Sequence, residues 1–566
     1  MTVSIKKNYI IKIIFIIFIP LFFVACANIV APTGGAKDIQ APKVLKCVPQ
    51  NYSTNFKETK IRIFFDEFIK LNNINNQSII SPTLDKLPDF NLKGKSIIIS
   101  FNEKLKDNTT YTIYFGDAIA DITENNILSN FQYVLSTGNS LDSLTVKGKI
   151  TDAFTTKPEE DVIVMLYKNI YDSVPYKERP LYITKPNKSG DFVFSNLKNG
   201  IYKMFALKDE NNNYIYDMPN EIIAFKDSVI SPEIIDTVRK DSSKNTIYNL
   251  FLFKETDTIQ KLIKTNIYHE RKLTFIFKHP TVNVKITPLN CKFENKWNIK
   301  DLNPGKDTLI YWLTNVDNDS LILEIRDNNI ILDTVEFALK HKTKSKLSGK
   351  RADISDKFLY KININKNKVF DFYKPVFLNI SRPVKEYALS KIVCLRQTET
   401  EDTIIKDTIR PQISFADSIL KKTEINYKWK ESQSYHIFIP PSTFKDIYNY
   451  TNDTINIYFK TQSLKYYGTI KLNINIPETK NVYIVQLLNE KEKILKQDII
   501  KQDETIIYEY LKPATYKLKI IQDSNNNGKW DTGNYLKNVR PEQVKYYDSI
   551  IKTRSNWDMD IDWDVE

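Results

Sequence analysis

Most of the chain alternates between apolar and polar positions with a period of two. Runs rich in β-branched and aromatic residues are separated by polar turns, and six examples are residues 60–65, 96–101, 111–115, 161–167, 272–277 and 454–459. Successive side chains of a strand point to opposite faces of a sheet, so these runs predict strands with at least one buried face. Few stretches have the 3.6-residue period of an amphipathic helix. The pattern therefore predicts an all-β protein.

One part of this pattern occurs twice. An acidic loop with the spacing Asp-x-Asn-x-Asn-x-x-x-Asp follows a strand-like run that begins with Tyr-Lys, at residues 209–217 and again at 523–531. The two loops are 314 positions apart, whereas Gly148 and Gly468 upstream of them are 320 apart. One β module is therefore present in two copies. The second copy has six fewer residues in a hairpin, a change that is tolerated where a loop faces solvent.

A second pattern covers nearly all of residues 41–140 and consists of Pro42 and the segments 60–68, 105–113, 117–121 and 131–138. These residues resemble the bacterial Ig-like domain of the SbsA type. In such a sandwich Asp107 and Asn108 make a turn, and Tyr111, Ile113 and Phe115 point into the core from one strand face. Parts of the pattern return further along the chain, in residues 429–439, 446–448 and 452–461.

The duplicated module has a signature of its own. It contains Gly148, the run 162–167, and a segment from Gly190 through Phe192 and Phe194 to Gly200 and Tyr202. This signature resembles the prealbumin-like or carboxypeptidase-regulatory β-sandwich, and the resemblance implies a non-catalytic accessory module. Gly190 permits a tight turn, and Phe192 and Phe194 share one strand face.

The chain is long enough for several cores, since domains usually hold about 100–150 residues. We predict tandem Ig-like and prealbumin-like β-sandwiches in an elongated multidomain chain. The predicted segments are a signal peptide (1–25), a lipidated cysteine and tether (26–40), an Ig-like domain (41–140), a prealbumin-like sandwich (141–245), an unassigned β domain (246–353), a second Ig-like domain (354–463) and a second prealbumin-like sandwich (464–566).

The N-terminal residues have the features of a secretory signal. Lys6, Lys7 and Lys12 precede an apolar stretch at 13–24, and the small residue Ala25 stands just before Cys26. The stretch is short for a transmembrane helix. A small residue followed by cysteine indicates a bacterial lipoprotein whose first mature residue, Cys26, carries acyl chains such as palmitate and anchors the chain to a membrane. The alternative is an ordinary cleaved signal and a free secreted protein.

Charge and cysteine content exclude some functional classes. The net charge of +13 comes from lysines dispersed among 68 acidic residues, and this dispersion together with a secreted location argues against nucleic acid as a partner. After Cys26, the remaining Cys47, Cys291 and Cys394 are too few and too scattered for a disulfide framework. Four histidines and no paired Cys-x-x-Cys argue against zinc.

The acidic loops are candidate calcium sites, because oxygen ligands at positions one, three, five and nine of a compact turn are how hard cations are bound. In the second loop these are Asp523, Asn525, Asn527 and Asp531, with Gly528 at position six. In the first loop they are Asp209, Asn211, Asn213 and Asp217.

Both loops depart from the helical calcium loop at position twelve, where Asn534 and Asn220 replace a bidentate Glu. The first loop also has Tyr214 in place of the glycine. Two carboxylates predict weak binding, with a dissociation constant of about 10⁻⁴–10⁻³ M. The alternative is a polar turn in which Asn and Asp cap the backbone without metal.

Sequence motifs of catalysis are otherwise missing: there is no Gly-x-Ser-x-Gly, His-Glu-x-x-His or Walker loop. We therefore predict a non-catalytic lipoprotein of the cell envelope, anchored to the outer membrane. It would act as a binding or scaffolding rod, for instance as an accessory subunit of an outer-membrane protein complex. The alternative is a carbohydrate-capture or adhesion module, which needs exposed aromatic residues on one face; Trp530, Trp557 and Trp563 are the candidates.

Overall fold

The computed structural model describes residues 37–233, 246–268, 271–293, 296–314, 316–339, 357–399, 404–477 and 481–565. The predicted signal peptide, Cys26 and residues 27–36 of the tether lie outside these residues. In the part of the chain that is described, no helix is long and apolar enough to cross a membrane. The chain divides into two compact units, Met1–Asp152 with Lys157–Leu252, and Ala153–Thr156 with Phe253–Glu566.

The first module is a β-sandwich. Its elements are β1 (Val44–Val48), β2 (Lys60–Phe65), β3 (Ile69–Leu71), helix α1 (Ile74–Gln77), β4 (Ile79–Ser81), β5 (Asp89–Leu92), β6 (Ser96–Ser100), β7 (Thr110–Tyr114), β8 (Ile119–Asp121) and β9 (Gln132–Ser136). They form sheets with the orders β1-β2-β6-β5, β4-β7-β9 and β3-β8. Ile61 and Ile63 alternate with half-buried neighbours along β2 and are fully buried. Tyr111, Ile113 and Phe115 are buried in the same core, as the period-two pattern predicts.

The second module contains β10 (Leu144–Asp152), β11 (Ile163–Tyr167), helix α2 (Val174–Lys177), β12 (Tyr182–Thr184), β13 (Asp191–Leu197), β14 (Lys203–Lys208), β15 (Ile222–Phe225) and β16 (Ile247–Leu252). Its two sheets have the orders β13-β10-β16 and β12-β11-β14-β15. Phe192 and Phe194 point into the core from one face of β13. Gly148 lies beneath the ring of Phe192, where a Cβ atom would be 2.3 Å from a ring carbon.

The boundary that we predicted between residues 245 and 246 is wrong. β16 runs parallel to β10 from the Lys147 and Ile247 pair to the Asp152 and Leu252 pair. Leu250 and Leu252 are buried in the core of the second module. Strand pairing between residues about 100 positions apart has no local signature, so sequence alone assigned β16 to the following domain.

Within the first unit, the first two modules are joined by hydrogen bonds where the C-terminal end of β4 meets the N-terminal end of β12. The backbone N–H of Thr83 donates to the carbonyl of Leu181 at 2.9 Å. The N–H of Ile183 donates to the hydroxyl of Ser81 at 3.2 Å. The side-chain amide of Asn196 on β13 adds a bond to the hydroxyl of Thr112 on β7. These bonds hold the two sandwiches edge to edge.

The third module is a seven-stranded sandwich within the second unit. Its strands are β17 (Leu262–Tyr268), β18 (Lys272–Phe277), β19 (Val284–Pro288), β20 (Asn298–Leu302), β21 (Thr308–Leu313), β22 (Ser320–Asp327) and β23 (Ile330–Ala338). They form sheets with the orders β17-β18-β21-β20 and β19-β22-β23. Leu273, Phe275, Leu321 and Leu323 lie in the core between the sheets.

The fourth module repeats the strand order of the first. It contains β24 (Tyr360–Ile362), β25 (Val369–Phe370), β26 (Val376–Ile380), β27 (Val384–Tyr387), β28 (Val393–Glu399), β29 (Ile404–Ile409), β30 (Gln412–Phe415), β31 (Lys422–Asn426), β32 (Ser434–Ile439), β33 (Phe444–Asp446) and β34 (Ile455–Thr461), with a 3-10 turn at Leu389–Lys391. The orders β24-β26-β31-β30, β28-β32-β34 and β27-β33 match those of the first module, and β25 and β29 are added at the edges of the middle sheet.

Equivalent hydrogen bonds accompany this shared strand order. The hydroxyl of Tyr111 accepts a bond from the N–H of Lys106 at 3.0 Å. The hydroxyl of Tyr435 accepts one from the N–H of Lys430 at 2.9 Å. In both modules a threonine of the last strand also donates to the carbonyl of that lysine. A buried tyrosine that ties a loop to its own strand fixes the same corner of both sandwiches.

The fifth module repeats the second. After a 3-10 turn at Leu464–Tyr466 it contains β35 (Gly468–Asn475), β36 (Val482–Asn489), β37 (Ile494–Ile500), β38 (Glu504–Leu511), β39 (Thr515–Asp523), β40 (Val544–Tyr546), β41 (Ile551–Lys552) and β42 (Asp558–Asp564). Its sheets have the orders β38-β35-β42 and β37-β36-β39-β40. β42 runs parallel to β35, as β16 does to β10. The first copy inserts α2 between β11 and β12, where the second has a short turn between β36 and β37.

The prediction of an all-β chain of tandem β-sandwiches is confirmed. Strands are the main regular structure of the described residues, in which the two α-helices hold four residues each. Cys47, Cys291 and Cys394 are free cysteines.

Candidate functional site

The second loop begins where β39 ends, and the carboxylate of Asp523 organises it. Asp523 is buried, and its Oδ2 accepts a hydrogen bond from the N–H of Gly528 at 2.8 Å. Its Oδ1 accepts one from the N–H of Asn527 at 3.2 Å. Gly528 has a φ of 76°, a conformation that glycine adopts without strain. The loop therefore curls around the first of its predicted ligands.

The other predicted ligands of the second loop converge on Asp531. The side-chain amides of Asn525 and Asn527 both donate to Oδ2 of Asp531. The Oδ1 atom of Asn527 accepts from the N–H of Lys529 at 3.0 Å. Hydrogen bonds thus join three of the four side chains that the spacing singled out, and Asp523 bonds the backbone of the same loop.

The first loop has the same arrangement. The amides of Asn211 and Asn213 donate to the two carboxylate oxygens of Asp217, at 3.1 and 2.9 Å. Oδ2 of Asp209 accepts from the N–H of Tyr214 at 2.7 Å. Tyr214 has a φ of 63°, so a bulky residue takes the left-handed conformation that Gly528 has in the second loop.

Each loop also rests on a buried glutamate that the sequence analysis missed. Glu542 accepts from the N–H of Ser524 at 2.7 Å and from the N–H of Asp531 at 3.0 Å. Glu221 accepts from the N–H groups of Asp217 and Met218. Burial raises the pKa of both carboxyl groups. In both copies a proline lies within two residues before the glutamate, which is the one local signal that they share.

The aromatic residue at position eight of each loop turns inward. The indole N–H of Trp530 donates to the carbonyl of Glu542 at 3.0 Å, and its ring lies 4.9 Å from that of Phe154. Tyr216 is buried in the first loop, with its ring 5.3 Å from that of Tyr176. Both loops therefore fold back over a sheet and cover it with an aromatic side chain.

The donor set of these loops fits a hard cation. Each contains two carboxylates and two amides within nine residues. Rotating an amide by 180° would place its oxygen, a possible ligand, where its nitrogen now lies. No group of three or more His, Cys, Asp or Glu side chains that could hold a metal occurs among the described residues. The same carboxylates also cap backbone N–H groups, which is the geometry of a polar turn.

The three candidate tryptophans do not share an exposed face. Trp563 is buried in the core of the fifth module, next to Tyr547. Trp530 is half-buried and packs against Phe154. Trp557 is 44% exposed, and the guanidinium of Arg554 lies 5.0 Å from the centre of its ring. The aromatic surface that carbohydrate capture would require is therefore not formed by these residues.

A model of the bacterial Ig-like domain matches residues 38–137. The first module is an Ig-like sandwich similar to this family, and the match covers 100 of the 566 residues. No curated protein matches the chain. Solved structures that are similar over long stretches include a pilin subunit, an S-layer protein and a third bacterial protein.

The major pilin subunit BcpA of Bacillus cereus is 8% identical with a TM-score of 0.16, covering 75% of this chain and 99% of its own. The S-layer protein rSbsC(31-844) is 10% identical with a TM-score of 0.13, covering 91% of this chain and 67% of its own. The TIE protein of Bacillus anthracis is 8% identical with a TM-score of 0.15, covering 94% of this chain and 76% of its own.

The Ig-like domain uses its most buried carboxylate for structure. Asp121 accepts hydrogen bonds from the N–H groups of Glu124, Asn125 and Asn126. Asp446, at the matching place in the fourth module, accepts from Tyr448 and Tyr450 and pairs with Arg382. These bonds hold the pKa of Asp121 below its usual value, although burial opposes them. Both aspartates close a loop at a sheet end.

Proposed function

We propose that this protein is a non-catalytic lipoprotein of the cell envelope that acts as a binding and scaffolding chain, as an accessory subunit of an outer-membrane protein complex. The observation that carries the proposal is the duplicated pair of β-sandwiches. The first and fourth modules share one set of strand orders and the same tyrosine contacts, and the second and fifth modules share another set of strand orders. Repetition of rigid sandwiches provides spaced binding surfaces on loops and strand edges.

The use of buried polar groups supports a non-catalytic role. Asp121, Asp446, Glu221 and Glu542 are buried carboxylates, and each accepts hydrogen bonds from backbone N–H groups of its own loop. A carboxylate committed to the backbone holds a loop in place, whereas a general acid or base faces a cleft where substrate binds.

The lipid anchor is tested on the full chain expressed in a bacterium. We expect mass spectrometry of the mature protein to find Cys26 as the first residue, carrying acyl chains. The Cys26→Ser variant should leave the membrane fraction, because the acyl chains supply the anchoring free energy. An intact, unmodified N-terminus in the wild-type protein would contradict this part of the proposal.

The scaffolding role is tested by cross-linking in intact cells, followed by purification of the full chain from membranes. We expect one outer-membrane protein to be cross-linked at constant stoichiometry, and the Cys26→Ser chain to lose it. Cross-linking of many unrelated proteins in proportion to their abundance would argue against an accessory subunit.

We further propose that the two loops bind Ca²⁺ weakly and that the ion stiffens them. The Asp and Asn side chains of each loop supply oxygen ligands. The buried glutamate accepts hydrogen bonds from backbone N–H groups of the loop and so fixes its conformation. With a dissociation constant of about 1 mM, 10 mM Ca²⁺ would stabilise each module by roughly 1.4 kcal/mol.

Trp530 provides a direct readout of the second loop, because an indole transfers excitation energy to bound Tb³⁺. We expect Tb³⁺ luminescence that excess Ca²⁺ abolishes and that Asp531→Asn weakens. Asp548→Asn, an exposed change outside the loop, is the matched control. Equal luminescence in the wild type and both variants, or a thermal unfolding temperature that Ca²⁺ does not change, would show that the loops are polar turns that bind no ion.

A further inference from the structure

A cavity lies within the first unit, where the Ig-like domain meets the second module. Its volume is about 180 Å³, and it is open to solvent. One wall is formed by the segment that contains α1 and β4, and the other by β12 and the first loop. Cavities at the junction of two domains are frequent ligand sites. The β4 to β12 hydrogen bonds described above hold its two walls together.

Two cations line this cavity without an ion-pair partner among the described residues. The guanidinium of Arg179 lies over the ring of Tyr214, 5.4 Å from its centre. The ammonium of Lys185 donates to the carbonyl of Asn76 at 3.0 Å and is partly desolvated. Asp85 is the one carboxylate in the lining. The cavity therefore carries a net positive charge and suits an anionic group.

The floor of the cavity is aliphatic. Ile79, Leu84, Ile163 and Ile183 line it, and all four are buried. Leu87 lies at the rim and is exposed. Such a surface favours an aliphatic side chain, because burying a group of the size of Leu or Val contributes about 1.5–3 kcal/mol.

Side-chain amides supply the hydrogen bonds that an extended main chain needs. Asn75, Asn76 and Asn212 all line the cavity, and each amide carries both donors and an acceptor. A peptide main chain offers the complementary N–H and C=O groups.

We propose that this cavity binds the C-terminal carboxylate of a peptide whose last residue is aliphatic. Arg179 and Lys185 hold the carboxylate, the aliphatic floor takes the last side chain, and the asparagine amides bond the preceding main chain. A saccharide fits less well, since sugars stack on open aromatic faces and the ring of Tyr214 is already covered by Arg179. The proposal names a partner class for the binding role proposed above, but it does not depend on lipidation or location.

The test is fluorescence anisotropy with the full chain in mild detergent. The probe is a fluorescein-labelled hexapeptide that ends in Leu with a free carboxylate. We expect saturable binding below about 1 mM, and binding roughly tenfold weaker for the same peptide with a C-terminal amide, because the charge-assisted bonds are lost. A peptide that ends in Asp should also bind more weakly.

Variants inside and outside the cavity test whether the peptide binds there. Arg179→Gln with Lys185→Gln should weaken the free-acid peptide roughly tenfold or more and abolish the difference between acid and amide. Leu87→Ser should reduce the preference for Leu over Asp. Lys149→Gln, an exposed lysine on β10 outside the cavity, should leave binding unchanged. Thermal unfolding of each variant shows whether it folds.

Three results would overturn the proposal. The first is equal binding of acid and amide peptides. The second is absence of saturation by any peptide up to about 1 mM. The third is binding of an oligosaccharide of uronic acid through Arg179 in place of the peptides. None of these results bears on the acylation of Cys26, so the two proposals fail separately.

Discussion

The backbone N–H of Asp531 donates to Oε2 of Glu542 at 3.0 Å, which ties the last predicted ligand of the second loop to a buried carboxylate. The other oxygen of Glu542 accepts from the N–H of Ser524, next to the first ligand, Asp523. Glu542 therefore fixes both ends of the loop. Glu221 holds the first loop by its C-terminal end, through Asp217 and Met218.

Replacing Glu542 with Ala should destabilise the fifth module. The partly buried N–H groups of Ser524 and Asp531 would lose a charged acceptor. We expect a net cost of about 1–3 kcal/mol, after the gain from no longer burying the carboxylate. Urea unfolding followed by tryptophan fluorescence measures the change. Glu504→Ala, an exposed change on β38, is the control and should have little effect. Equal midpoints for the two variants would show that Glu542 does not brace the loop.

The buried tyrosines that tie a loop to its own strand should contribute equally in the first and fourth modules. Tyr111→Phe and Tyr435→Phe each remove one acceptor from a lysine N–H and should each cost about 1 kcal/mol. The two sites share no contacts, so the double variant should lose the sum. Tyr458→Phe is the matched control, because its ring is stacked on His436 and its hydroxyl forms no hydrogen bond with the described residues. A cost confined to one corner would argue against equivalent roles.

Lys519 should make the stability of the second unit depend on pH. The side chain is buried, with its ammonium 3.5 Å from the centre of the Phe154 ring, and burial lowers the pKa of Lys519 to about 8. Folding then disfavours the charged form, so stability should rise as the pH increases from about 8 towards 10.5, where the unfolded chain also loses the proton.

The Lys519→Met variant isolates this effect. It should unfold at higher urea than wild type at pH 7, and the difference should shrink between pH 8 and pH 10. Lys545→Met, at an exposed position on β40, should follow the wild-type pH profile. A parallel profile for wild type and Lys519→Met would mean that Lys519 keeps its proton in the folded chain.

Cys394 should be unreactive in the folded protein. It is 2% exposed, and burial raises the pKa of its thiol to about 12, so the thiolate is scarce at pH 8. Alkylation with iodoacetamide at pH 8, followed by peptide mapping, should modify the partly exposed Cys47 and Cys291 well before Cys394. In urea all three should react alike. Early alkylation of Cys394 in the native chain would indicate local opening of the β28 and β29 edge.

Local pattern was sufficient for the strands and for the duplication. A period of two is a direct consequence of strand geometry, so Ile61, Ile63 and Tyr111 could be assigned to the core from their neighbours alone. The repeated spacing of Asp and Asn likewise identified both loops, and in each the structure joins the two asparagine amides to the last aspartate. The exposure of a single tryptophan cannot be predicted from its neighbours in the sequence. Trp563 lies in the core of the fifth module, and Trp530 packs against a buried cluster of the same module.

The sequence by itself therefore determined the all-β class, the two loops and the residues that each strand buries, because these depend on contacts within a few positions. Tertiary structure alone decided that β16 completes the second module, that Glu221 and Glu542 support the loops, and that Arg179 and Lys185 meet at one cavity. β16 pairs with a strand about 100 positions away, the cavity is lined by segments between residues 75 and 214, and each glutamate accepts from backbone N–H groups 3 to 18 positions away. These partners are set by how strands pair and sandwiches dock, and no spacing along the sequence encodes that.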